Sequence, residues 1–362
     1  MRTLVISDLH LGARTRTDVL RHPAALDALL QRMDGVEQLV LLGDTLELRH
    51  GPFDEALAIA EPVLRAIGAR LADAEVVLVA GNHDHGLVAD WLEARAASGP
   101  LGLEERAGPD ATARTRRLAE LLAPATLSVV YPGVWVAEGV YATHGHYLDR
   151  HLTVPSLERL GIGAISRVLG VRPGRATAPD DYEVVLAPLY AFVEALAARS
   201  VNGRGVAPGS VSTRAWQALQ SDAPPSWRLR ASRGALPLAV GAANALGLGP
   251  LRTDLSGVTL RRSGLAAMRD VATTLRIPAR HVVFGHTHRG GPRPDDDARE
   301  WALPSGGSLV NSGSWALETF ALGPGPGSPY WPGAAVELDD DGVPLPVRLL
   351  DDVPGELLTA RP

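Results

Sequence analysis

Apolar residues in this chain follow two rhythms. Unbroken aliphatic runs at Thr3 to Ser7, Gln38 to Leu42 and Glu75 to Ala80 have the pattern of strands buried on both faces. Between them, Ala24 to Met33 and Phe53 to Leu71 carry apolar residues at helical spacing, with Leu26, Leu29, Leu30 and Met33 on one face. Strands alternating with helices predict a βαβ layout and a largely parallel sheet. Val129 to Thr143 reads as two strands around a Pro132–Gly133 turn. Further strands are expected at His281 to Phe284, Ser308 to Ser314, Ala334 to Asp339 and Val343 to Leu350, with Gly323 to Gly333 a Pro/Gly loop.

The stretch from about Leu148 to Arg280 differs. It holds three helical patterns, near Leu157–Leu169, Asp181–Arg199 and Gly264–Leu275, separated by loops rich in Gly, Pro, Ser and Arg. From Arg199 to Arg280 the only acids are Asp222, Asp254 and Asp270, and Ala235 to Leu251 is apolar but broken by Gly and Pro. Such a segment suits a cap that offers Arg to phosphates and an apolar groove to a substrate tail. It suits equally a helical insertion with a solvated basic face.

The chemistry lies where the strands end. Five strand ends carry metal-ligand residue types: Asp8 and His10, Asp44, Asn82, His144, and His286 with His288. In the D-x-H and H-x-H pairs, side chains at i and i+2 of an extended segment share a side and can converge on one ion. A lone Asp or Asn after a strand is usually a turn or cap, and His22, His50, His85, His151 and His281 are read as ordinary polar groups. Five such strand ends in succession are not explained that way. Carboxylate and imidazole donors together suit Mn²⁺ foremost, or Fe or Zn²⁺. Seven ligands exceed one coordination sphere but fit two ions about 3.5–4 Å apart that share a carboxylate. Such a pair generates a bridging hydroxide near neutral pH and clamps phosphoryl oxygens for attack.

Composition narrows the setting. The chain has 362 residues, 46% hydrophobic and 21% charged, as expected of a globular protein with room for a large domain and an insertion. Cysteine is absent, which excludes disulfides and thiolate metal sites. Asp8 interrupts the N-terminal apolar run too early for a signal peptide, and no apolar span reaches transmembrane length, so a cytoplasmic protein is expected. The net charge of −6 disfavours wholesale nucleic-acid binding. Every basic residue is Arg, consistent with a GC-rich genome.

Asp8-Leu9-His10, Gly43-Asp44, Gly81-Asn82-His83-Asp84, His144-Gly145 and Gly285-His286-Thr287-His288 together resemble the calcineurin-like metallophosphoesterase family in order and spacing. The resemblance covers both ends of the chain and leaves the interlude out. It implies an α/β fold, a four-layer αββα sandwich of two mixed β-sheets with a helical cap insertion. Residues 1–147 and 281–362 would form the core, and residues 148–280 the cap. It implies that Asp8, His10 and His288 hold one metal, that Asn82, His144 and His286 hold the second, and that Asp44 bridges. His83 resembles the family's catalytic histidine, acting at the phosphoryl group or leaving oxygen, with Asp84 orienting it.

Ile6-Ser7-Asp8-Leu9-His10-Leu11-Gly12, Gly43-Asp44-Thr45-Leu46-Glu47 and Asn311-Ser312-Gly313-Ser314-Trp315 resemble the branch of UDP-2,3-diacylglucosamine pyrophosphatases. That branch typically has Arg at His83 and Asp at His146, and a shorter insertion. The differences favour a more general phosphoesterase that uses His83. The expectation is hydrolysis of a phosphoester or pyrophosphate bond in a phosphorylated small-molecule or lipid-linked substrate, with peripheral membrane contact through the cap as a corollary of the lipid case. The alternatives are a pyrophosphatase of a nucleotide-linked lipid, and a nuclease or cyclic-nucleotide phosphodiesterase. For the latter the aromatic signal, Trp216 and Trp227, is thin. A non-catalytic binding module ranks last, because no ligand position is lost.

Overall fold

A computed structural model describes residues 1–154, 156–170, 176–199, 238, 240–246, 248–254, 257–317, 325–339 and 341–359. The expected aromatic positions Trp216 and Trp227 lie outside the described residues, as do residues 235–237, 239 and 247 of the apolar stretch. Among the described residues, no helix is long and apolar enough to cross a membrane.

The fold is mixed α/β. Its strands are β1 (Thr3–Ile6), β2 (Gln38–Leu42), β3 (Glu75–Val79), β4 (Glu104–Ala107), β5 (Thr126–Ala137), β6 (Val140–Thr143), β7 (His281–Phe284), β8 (Ser308–Asn311), β9 (Ala334–Leu338) and β10 (Leu345–Arg348). They form one hydrogen-bonded path in the order β10-β9-β1-β2-β3-β5-β6-β7-β8, with β4 on the side of β5. The runs β1-β2-β3-β5 and β6-β7-β8 are parallel, as the βαβ order predicts. Antiparallel pairs occur where β5 meets β4 and β6, and where β9 meets β1 and β10.

β5 departs from expectation. Pro132 and Gly133 do not make a turn; the strand runs through them, and the reversal comes at Glu138–Gly139. Thr126–Val130 pairs with β3, and Gly133–Ala137 pairs with β6, so one strand belongs to both halves of the sheet. A proline is tolerated where a strand changes partners, because its missing N–H costs no ladder bond there. The edge strand β4, the short helix α3 (Ala89–Arg95) and the helix α4 (Ala113–Leu122) were not legible from periodicity.

Strand alternation sorts the core into three buried clusters. Leu4, Ile6, Leu39, Leu41, Val76 and Leu78 face the helices α1 (Pro23–Arg32), α2 (Phe53–Arg70) and α4. On the opposite face, Val5, Val40, Val77 and Val79 meet Val134, Val140, Ala142 and Val283 from the other half of the sheet. The third cluster joins Tyr141, Val282 and Phe284 to Tyr182, Val185 and Met268, from helices of the Arg-rich interlude. These are α6 (Pro179–Ala198) and α7 (Gly257–Thr274), which follow α5 (Leu157–Val168). They pack directly on the sheet.

The crossing of β5 over β6 depends on close approach. A Cβ on Gly133 would meet the Tyr141 hydroxyl and lie 2.5 Å from the Ala142 carbonyl oxygen, which is backbone and cannot yield cheaply. Gly133→Ala is expected to cost about 1–3 kcal/mol of stability, read as a lower urea midpoint; an unchanged midpoint would show that the two halves adjust freely at this point.

Candidate metal centre

Every ligand expected from sequence comes to the carboxyl ends of the strands. β1 delivers Asp8 and His10, β2 delivers Asp44, β3 delivers Asn82, β6 delivers His144, and β7 delivers His286 and His288. How the pairs converge differs from the expectation of extended alternation. Asp8, His10, Asp44, His286 and His288 all have left-handed backbone, with φ of 54°, 47°, 52°, 65° and 57°. Each chain therefore leaves its strand in a sharp curl that turns both members of a D-x-H or H-x-H pair inward. Non-glycine residues occupy this region only when their surroundings compel it.

The ligands expected from sequence form two groups, and a third group, of His10, Asp44 and His83, lies between them. In the first, Asp8, His10 and His288 converge: Asp8 Oδ1 lies 3.2 Å from His288 Nε2, which is 3.2 Å from His10 Nε2. Asp8 Oδ2 is held by the Ser7 hydroxyl at 2.5 Å and the His286 N–H at 3.0 Å, which leaves Oδ1 turned to the group. In the second, Asp44, His144 and His286 converge, and the Asn82 carboxamide oxygen lies 3.0 Å from both His144 Nε2 and His286 Nδ1. Asp44 Oδ2 is 3.3 Å from His144 Nε2 and 3.9 Å from His10 Nε2, so it reaches toward both groups.

The remaining ring nitrogens are spoken for, which fixes how each imidazole presents itself. His10 Nδ1 donates to Glu47 at 3.1 Å, His144 Nδ1 to the Leu42 carbonyl at 3.0 Å, and His286 Nε2 to Asp149 at 2.9 Å. The result is a set of nitrogen and oxygen donor atoms pointed at one another. As a hydrogen-bonding side chain, Asn82 would turn its NH₂ toward the rings and its oxygen toward Arg49. As an oxygen ligand, it already faces the right way. The donor set fits divalent cations.

His83 stands beside this set. Its Nδ1 donates to Glu47 at 2.8 Å, and its Nε2 is 4.0 Å from Asp44 Oδ2. Asp84, expected to orient His83, has another task. Its buried carboxylate accepts from the backbone N–H groups of Gly81, Thr45, Asp44 and Leu46 at 2.7, 2.7, 3.3 and 3.3 Å, stapling the β2 loop to the β3 loop. The carboxylate that orients His83 is Glu47, which also holds His10. Glu47 stands three residues beyond Asp44, a position that could have pointed to it. Asp149 and Arg49 had no signal: Arg49 is buried, donating to the Asn82 carbonyl at 3.1 Å and to Glu158 at 3.1 Å.

His146 stands outside the candidate donor groups among the described residues. Its Nε2 meets the Tyr131 hydroxyl at 3.0 Å, and burial together with His144 and His286 pushes it well below the usual imidazole range. His85, read as an ordinary polar group, is 3.0 Å from Glu183.

The motif Asn311-Ser312-Gly313-Ser314-Trp315 ties the site together. Asn311 donates to the Gly285 carbonyl at 2.9 Å, Ser312 Oγ meets Ser7 Oγ at 2.7 Å, and Ser314 Oγ donates to the Asp8 carbonyl at 3.2 Å. The β1 and β7 loops are thereby locked at a fixed separation. Gly43 shows how tight the packing is: its φ is +85°, and a Cβ there would overlap the His144 ring.

Burial acts against charge throughout, and at Asp8 and His144 the charged neighbours prevail. Burial would raise Asp8, but His288 and His144 hold it at about 2. Burial would lower His144, but Asp44 raises it to about 9. His83 moves the other way, lowered by burial and by Arg49. Because a proton holds the His144 site up to about pH 9, a cation must displace it at neutral pH, and affinity should fall as the medium is acidified. Manganese titrations between about pH 6 and 8 should show tighter binding and fewer released protons at the higher pH. Affinity independent of pH would remove the imidazoles from the coordination set.

Residues 1–218 match the calcineurin-like phosphoesterase family. No curated protein matches the chain in sequence. Among solved structures, a dimetal phosphatase from Danio rerio is similar at 12% identity and a TM-score of 0.34, covering 94% of this chain and 93% of its own. A cold-active protein-tyrosine phosphatase of a psychrophilic Shewanella species is similar at 13% identity and a TM-score of 0.31, covering 96% and 80%. The match over more than half of its length decides the matter: this chain belongs to the calcineurin-like phosphoesterase family and is a metal-dependent phosphoesterase.

Proposed function

We propose that the chain hydrolyses a phosphoester or pyrophosphate bond with two divalent ions, Mn²⁺ foremost. Asp8, His10 and His288 would hold one ion, Asn82, His144 and His286 the other, and Asp44 would stand between them. The observation that carries the reading is the place of Asp44 between the two groups, its Oδ2 3.3 Å from His144 Nε2 and 3.9 Å from His10 Nε2. Three buried clusters separating two helix layers and two sheet halves support the four-layer arrangement expected of the family.

When bound, such ions supply a water acidified to near neutrality and a positive clamp for phosphoryl oxygens. The chain's own part is to fix the donors and to present His83. With Nδ1 held by Glu47, His83 keeps Nε2 free and turned to the same side as Asp44. Burial and Arg49 lower its affinity for protons, while Glu47 and Asp44 favour the imidazolium form. At that position it can stabilise charge on the phosphoryl oxygens or protonate the leaving oxygen. Glu47 keeps both His83 and His10 in register.

A pyrophosphate within a nucleotide-linked lipid is the second reading. It is favoured by the helices of residues 148–280 lying beside the site, where Glu158 of α5 reaches Arg49.

His83→Ala should leave two ions per chain by elemental analysis while lowering turnover of bis(p-nitrophenyl) phosphate about 10²–10⁴-fold. Loss of an ion in that variant would make His83 a ligand instead. Glu47→Gln should lower turnover and also weaken the ion at His10. A change confined to turnover would uncouple Glu47 from that site.

A further inference from the structure

A second concave site lies away from the metal donors. A cavity of about 560 Å³ opens between α7, the segment around His151 and Thr153, and residues 299–300. Its size is that of a small-molecule site, roughly 300–1,000 Å³. None of the expected metal ligands lines it.

Its lining is uneven. Ser263, Ala266 and Ala267, spaced so as to share one face of α7, lie against it and are too small to fill it. Around them stand four guanidinium groups, from Arg252, Arg262, Arg269 and Arg299. Two carboxylates also line the space, Glu300 and Asp270. Glu300 is already committed, to Arg262 at 2.7 Å and to Arg261 at 2.8 Å. Arg252 and Arg299 have no carboxylate partner among the described residues, and Arg269 donates only to the Glu300 carbonyl, at 3.2 Å. His151 adds no charge near neutrality, since burial lowers it.

With Arg262 and Glu300 set aside as a pair, three cations around one concavity, opposed by Asp270 alone, form a receptor for a multiply charged oxyanion. Guanidinium groups bind such groups through paired, charge-assisted N–H···O bonds. We propose that this cavity binds a phosphate-type oxyanion, at a site separate from the metal donors. One stretch of chain and one contact connect it with them. His151 lies two residues beyond Asp149, which holds His286 at 2.9 Å, and Gly264 of α7 lies against Thr287, between His286 and His288.

The test counts phosphates. Equilibrium dialysis of radiolabelled inorganic phosphate against the manganese-loaded full chain should show one more bound phosphate per chain than in R252A/R269A/R299A. Ala266→Trp keeps every charge and fills the cavity, and it should lose the same phosphate. Equal counts in wild type and both variants would overturn the proposal. Because the readout is a difference, it does not depend on whether the metal centre itself binds phosphate or catalyses hydrolysis.

Kinetics then separate the two sources of the anion. If it is a second phosphate of the substrate, the triple variant should raise KM for a nucleoside-diphosphate conjugate about tenfold or more, with bis(p-nitrophenyl) phosphate unaffected. If it is a free anion, both KM values stay put, and the wild-type rate alone responds to added phosphate. Either result upholds the site.

Discussion

Left-handed backbone at the candidate metal donors is the constraint on which the rest of this structure depends. Five of the seven expected ligands adopt it, at about 1–3 kcal/mol each where no glycine relieves it. Such curls persist only if their surroundings over-determine them, and here they do. The Asp84 carboxylate gathers four N–H groups from two loops, and Ser312, Ser314 and Asn311 lash the β1 and β7 loops together. Both devices hold backbone, leaving donor side chains free to face one another. A close-set group of nitrogen and oxygen donors is thus imposed by hydrogen bonds that lie just outside it.

Much of this was legible in the residues. The alternation of buried strands with amphipathic helices gave the mixed α/β fold, and repetition of ligand types after successive strands gave the donor set. A single Asp8-x-His10 carries little information; the same chemistry at five strand ends does. What stayed hidden has physical reasons. Pro132–Gly133 has the composition of a turn, but a strand changing partners tolerates proline and requires glycine at the crossing. β4, Glu-Glu-Arg-Ala, is a polar edge strand with no alternation to read.

Carboxylates were the hardest to assign. Asp84, Glu47 and Asp149 are all buried or nearly so, and nothing in composition tells a backbone staple from a histidine partner. Asp84 sits beside His83 in sequence, yet its lone pairs go to amides. Glu47, thirty-six positions away, is the one at 2.8 Å. Proximity along the chain was a poor guide, because the turn after β3 points successive side chains in different directions. The interlude also changed character. Its helices α6 and α7 bury Tyr182, Val185 and Met268 against β6 and β7, and so help build the core as well as border the site.

The position of β1 has a consequence for how the chain is made. β1 lies between β2 and β9, so Thr3, Leu4 and Val5 pair on one side with Gln38, Leu39 and Val40 and on the other with Leu338, Glu337 and Val336. The first half of that pairing closes after a few dozen residues have been synthesised. The second waits for nearly the whole chain. Until residues 334–338 emerge, β1 presents an open edge of unpaired amides, the sort of surface on which strands of other chains add. Asp8 and His10, at the end of that same strand, meanwhile lack His286, His288 and the serines that lock them. Synthesis must therefore pass residues 334–338 before that edge is covered, and until then the strand that carries Asp8 and His10 is open along one side.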